Sequence, residues 1–161
     1  MKSFGKRRYR KVRYFWDDLC FVWRQRKKII GIIRGKTIDP GFRERLMLAV
    51  TAVNDCRYCS FVHTRQALRE GVSREEIAGL YDGNIGQLPE NERTALLYAQ
   101  HWVEMTGAPE EDLKEKLRSE YGEDMTDRIE TTIRLINWNN LSGNTFDWFL
   151  YTLSFGWLGN P

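Results

Sequence analysis

A chain of 161 residues with 42% hydrophobic side chains is long enough to bury one sizeable core and gives no reason to expect a second. A mean hydropathy of −0.56 and the lack of any apolar run near the roughly 18 residues that span a bilayer argue against a transmembrane helix, and a basic, interrupted N-terminus argues against a secretory signal, so the expected place is the cytoplasm. The net charge of +3 averages two opposite parts: residues 1–36 hold 13 Lys and Arg against Asp17 and Asp18 alone, a local surplus of +11, which leaves −8 for the remainder.

Residues 1–35 form a basic leader in which Lys and Arg alternate with Tyr14, Phe15, Trp16, Phe21, Val22 and Trp23. That mixture predicts an amphipathic helix or a partly disordered segment, ahead of a helical domain over 36–161. Asp39 followed by Pro40 is a helix start, with Phe42, Leu46, Val50 and Val53 at helical spacing behind it. The stretch from Asp55 to Glu70, closed by Gly71, puts Cys56, Cys59 and His63 on one side of a helix. Ser73 and Glu76 form a capping box for a short helix that ends at Gly83. Leu96, Ala99 and Val103 mark the next helix, and Leu113, Leu117 and Tyr121 one that runs from Pro109 to Gly122. A last long helix is expected from about Thr126, carrying Ile129, Ile133, Ile136 and an Asn cluster, with Gly143 as its weak point. No segment alternates as a strand would, so the reading is an all-α protein of six or seven helices.

Of the three cysteines, two stand as a CxxC pair and Cys20 is left over, which is unlike the framework of a secreted disulfide scaffold. Backbone N–H groups and the positive dipole end at a helix start stabilise a thiolate, and Cys56 and Cys59 occupy that start. Three-residue spacing brings both sulfurs to one face, where a disulfide opens and closes without unfolding the helix. His63, four residues beyond Cys59, is one turn on and placed to relay a thiol proton, directly or through water. If the helices on either side of Asn54 form an antiparallel hairpin, residues 44 and 63 lie opposite each other, and the Glu44 carboxylate would fix the His63 tautomer.

These residues resemble the AhpD-like alkylhydroperoxidases of the carboxymuconolactone decarboxylase superfamily. The signature of that family is a Glu, eleven residues, CxxC, three residues and a His, and here it reads Glu44, Cys56-Arg57-Tyr58-Cys59, His63, within RERLMLAVTAVNDCRYCSFVHTRQALREGVSREEI. The resemblance implies an AhpD-like helical bundle and an oxidoreductase in which Cys59 is the peroxidatic thiol, Cys56 its disulfide partner, and Glu44 with His63 the proton relay. It also implies a hydroperoxide substrate, reduction by a lipoyl-bearing protein, and a homo-oligomer, trimeric or hexameric; the sequence carries no nicotinamide, flavin or haem motif, so no cofactor is expected and the reducing equivalents would come from another protein or a small thiol. One departure is Tyr58, where the peroxidases of the family often carry His before the second Cys.

Rival readings stand beside this one. Cys56, Cys59 and His63 would supply three zinc ligands, but a closed site needs a fourth, from Cys20 or His101. A decarboxylase-type lyase, the other activity of the superfamily, does not rely on a CxxC pair. A non-enzymatic scaffold would use the leader, which suits an anionic membrane surface, nucleic acid or the acidic body of a neighbouring subunit. Cys20 and His101 read as ordinary structural residues, the WNNLSGNTFDW segment as one that packs near the site or kinks its helix, and the closing FDWFLYTLSFGWL as an oligomer interface.

Overall fold

The structure is a computed structural model describing residues 6–159. It is all-helical, with seven α-helices and, among the described residues, no strand. In chain order these are α1 (Val12–Arg24), α2 (Arg26–Ile33), α3 (Pro40–Asn54), α4 (Arg57–Arg69), α5 (Arg74–Asp82), α6 (Arg93–Glu104) and α7 (Glu111–Leu153), with short 3₁₀ turns at Ile85–Gln87 and Glu90–Glu92.

The central element is α3. Asp39 caps its start by accepting the Phe42 N–H at 2.9 Å, with Pro40 in the first turn. From Gly41 to Asn54 it is buried on almost every side, because α4, α6 and α7 all pack against it. Leu46, Leu48, Val50 and Val53 join Ala67, Leu96, Ala99, Ile129, Ile133 and Ile136 in one core. Each of these Val, Leu and Ile side chains contributes about 1.5–3 kcal/mol of transfer free energy when fully buried. Arg45 uses the less crowded side of α3, with its guanidinium 2.5 Å from Glu92 and 3.2 Å from Glu76. That pairing ties α5 and the start of α6 to the central helix. The Ser73/Glu76 capping box forms as the sequence predicts.

Gly122 breaks α7 at φ 74 and ψ 165, a conformation that suits a residue without Cβ, so the helix expected to close there does close. The following helix resumes at once, a little before the anticipated Thr126, and runs unbroken through Gly143. Gly143 is therefore not the weak point its helix propensity suggests, and its role is steric.

The leader forms α1 and α2, and both lie along α7. Phe15 stacks obliquely against Trp138, and Asp18 accepts from Arg134 at 3.1 Å. Ile29 and Ile32 of α2 are buried in the core. No helix among the described residues is long and apolar enough to cross a membrane.

Candidate functional site

The turn between α3 and α4 sets the site. Asp55 ends α3 in the left-handed region, at φ 53, a conformation that Asp tolerates better than most residues. Cys56 then stands in the N-cap position of α4 with extended backbone, and Cys59 lies in the first turn behind it. The two sulfurs are 3.1 Å apart and share a hydrogen bond, both cysteines being free thiols. Cys56 is only 1% exposed, whereas Cys59 is half-buried.

The pair titrates unequally. The hydrogen bond from the Cys59 thiol, aided by the Tyr58 and Cys59 backbone amides at the helix start, lowers Cys56 from 9.0 to about 7 against the opposing effect of burial. The same hydrogen bond, together with burial and the charge on Cys56, pushes Cys59 up. Between two thiols in contact, the first proton lost leaves a charge on Cys56 that Cys59 stabilises.

Across the hairpin, His63 Nδ1 lies 2.7 Å from Glu44 Oε2. Glu44 is itself 1% exposed, and its other oxygen accepts from Arg43 at 2.8 Å. The Arg43 guanidinium also donates to the carbonyls of Ile32 and Ile33, at 3.2 and 2.7 Å. The buried carboxylate is thus compensated on both sides. It fixes Nδ1 as the bonded nitrogen of His63 and leaves Nε2 for proton transfer.

Helix α7 closes the site from the other side. Asn140, Gly143, Asn144 and Asp147 occur at i, i+3, i+4 and i+7 and continue the buried stripe of Ile129, Ile133 and Ile136 as a polar one. Asn140 donates to Thr51 Oγ1 at 3.2 Å, and its hydrogen bond to Cys59 lowers that thiol, against the larger effects that raise it. Asn144 donates to the Asn54 carbonyl at 2.8 Å. A Cβ on Gly143 would meet Cys56 Sγ at 3.2 Å, so the glycine lets the helix backbone rest against the sulfur. The buried Asp147 accepts from Arg57 at 2.6 Å and from the Tyr58 hydroxyl at 2.8 Å, and pairs with Lys6 at 3.4 Å. These bonds hold its carboxyl below the usual range although burial acts the other way. Tyr58, read from sequence as a departure, is thereby a strut between the CxxC turn and α7.

Two hollows border the site. One, of about 390 Å³, is lined by Glu44, His63, Arg43, Met47 and Gln66 among others. The second, of about 600 Å³, is lined by Cys56, Ser60, Phe61, Thr64, Arg65 and Tyr81 among others. The carboxylate–imidazole couple and Cys56 therefore border different hollows.

The structure brings Cys56 against Cys59 and Glu44 against His63, as two separate contacts that share α4, and adds Asn140, Gly143 and Asp147. The signal for these three was the helical spacing of small and polar residues, in register with an apolar stripe. Cys20 is exposed on α1, and His101 pairs with Glu110. Among the described residues no group of three or more His, Cys, Asp or Glu side chains is placed to hold a metal ion.

Residues 26–85 match the model of the carboxymuconolactone decarboxylase family. This segment, which carries all four residues of the signature, is similar to that family, whose model covers AhpD-like proteins. That family includes both decarboxylases and alkylhydroperoxidases. No curated protein and no solved structure matches the chain.

Proposed function

We propose that the chain is a thiol–disulfide oxidoreductase that reduces organic hydroperoxides through Cys56 and Cys59, with Glu44 and His63 handling the protons. The observation that carries this reading is the 3.1 Å sulfur–sulfur contact at a helix start, one turn from an imidazole held by a buried carboxylate at 2.7 Å.

In this reading the half-buried Cys59 is the sulfur that meets the peroxide, and the buried Cys56, packed against Gly143, is the one that closes the disulfide. His63 takes the first proton of the pair, and the second passes from Cys59 to Cys56 along their hydrogen bond. The Cys59 thiolate attacks the terminal peroxide oxygen, the O–O bond breaks, and the alkoxide receives the His63 proton and leaves as an alcohol. The Cys56 sulfur then attacks the sulfenic acid on Cys59, and its proton leaves with the hydroxide as water, which closes the disulfide. A dithiol, free or as a lipoyl group on another protein, restores both thiols by two exchanges and is itself oxidised to a disulfide. The exposed aromatic run of Phe146, Phe149, Phe155 and Trp157 is read as the surface on which copies of the chain meet.

The test is consumption of an alkyl hydroperoxide in the presence of a small dithiol. Cys59→Ser abolishes turnover, and His63→Ala lowers the rate by about 10²–10⁴-fold. Equal rates for the parent chain and Cys59→Ser overturn the proposal.

A further inference from the structure

The leader has two faces with different fates. The inner face of α1 docks on α7: Phe15 lies against Trp138, and Arg134 covers the Phe21 ring at 4.1 Å while donating to Asp18. Asp18 also accepts from the Tyr9 hydroxyl at 2.7 Å. The outer face carries Val12, Trp16 and Trp23, exposed by 72%, 56% and 70%, and the line continues past Gln25 to Ile30 of α2, at 46%. Residues at i, i+4 and i+11 fall on one stripe of a helix, so Val12, Trp16 and Trp23 form a single apolar strip on α1 rather than scattered exposures.

Cations flank that strip. Arg10, Lys11, Arg13, Arg24 and Lys27 are exposed and have no carboxylate partner among the described residues. Asp17 is the one exposed acid on α1, since Asp18 is turned inward to Arg134. The outer face thus combines strong uncompensated positive charge with bulky apolar groups, tryptophan above all.

We propose that this face of α1 and the start of α2 binds an anionic lipid surface, with the helix lying in the plane of the headgroups. Acidic headgroups match the cations. The acyl boundary takes up Trp16, Trp23 and Val12, whose burial drives insertion, and tryptophan is the side chain that favours that depth. A nucleic acid answers the charge but offers Val12 and Ile30 no apolar place to go. Binding of this kind adds clusters of basic residues to a shallow apolar insertion and weakens as salt rises. The assignment is independent of the chemistry proposed for the thiols.

The experiment is co-sedimentation of the full chain with vesicles of phosphatidylglycerol and phosphatidylcholine, against vesicles of phosphatidylcholine alone, over a salt series. The expected result is binding to the anionic vesicles that is at least about tenfold stronger than to the neutral ones and falls with salt. Trp16→Ser with Trp23→Ser, and separately Arg13→Glu with Arg24→Glu, each lower it by about tenfold or more. Unchanged helical content shows that the variants are folded, which their surface positions predict. Equal binding to neutral vesicles, or full binding by either variant, overturns the proposal. So does a shift from oligomer to monomer in the tryptophan variant with no vesicle binding by the parent chain, which assigns the face to a second copy. Binding of an oligonucleotide in place of vesicles overturns it as well.

Discussion

Cys56 and Cys59 differ in what surrounds each sulfur. Cys56 has the amides of the helix start and the neighbouring thiol, which lower it to about 7, whereas Cys59 is raised by the charge it helps to create. Because the thiolate is the form that reacts, alkylation by iodoacetamide should rise through an inflection near pH 7, well below that of an ordinary thiol. Removing the largest cause of the shift, with Cys59→Ala, moves the inflection upward toward the ordinary thiol value of 9.0 or beyond, since burial of Cys56 then acts without its hydrogen-bond partner. An inflection that stays near 7 in that variant shows that the thiol contact is not what lowers Cys56. The pairing of Glu44 with His63 was legible in the sequence for a simple reason. Two helices joined by a tight turn place equidistant residues face to face, and both carry a chemically distinctive side chain.

The elements were less evenly legible. The capped starts at Asp39 and Ser73 and the breaks at Gly71 and Gly122 follow from backbone chemistry within a few residues, and all formed where they were expected. Gly143 was misread because local propensity treats a mid-helix glycine as a defect, whereas its reason lies in a sulfur 87 positions away in the chain. Adding bulk there tests this account. In Gly143→Val, the β-carbon that would meet Cys56 Sγ at 3.2 Å carries two methyl groups, and overpacking of this kind costs about 1–3 kcal/mol, measurable by denaturant unfolding. A variant as stable as the parent would show that α7 does not press on the sulfur. The segment that holds Asn140 and Asp147 reads from sequence as one that packs near the site, but neither residue stands out within it, since their partners, Thr51, Arg57 and Tyr58, belong to α3 and the CxxC turn.

At the scale of the molecule, the charge division of the sequence becomes a spatial one. The basic leader lies along α7 and keeps its acids turned inward or few, while its far end is built into the core through Ile29 and Ile32. The family match likewise begins at residue 26, inside the segment that composition alone sets apart. Composition sees charge, but burial depends on which helix arrives from elsewhere in the chain, and KKIIGIIRGK carries too little periodicity to announce it. Three cysteines remain in the folded chain, two in contact and Cys20 exposed on α1. The account requires oxidation to respect that arrangement, because a sulfur contact of 3.1 Å needs only a small movement to reach the roughly 2.05 Å of a disulfide, and the bundle need not open. Intact-mass and peptide mass spectrometry after mild treatment with an alkyl hydroperoxide is therefore the most direct measurement. The predicted result is loss of two hydrogens with a crosslink between Cys56 and Cys59 and with Cys20 unpaired. An unoxidised pair, or a crosslink that runs through Cys20, would contradict it.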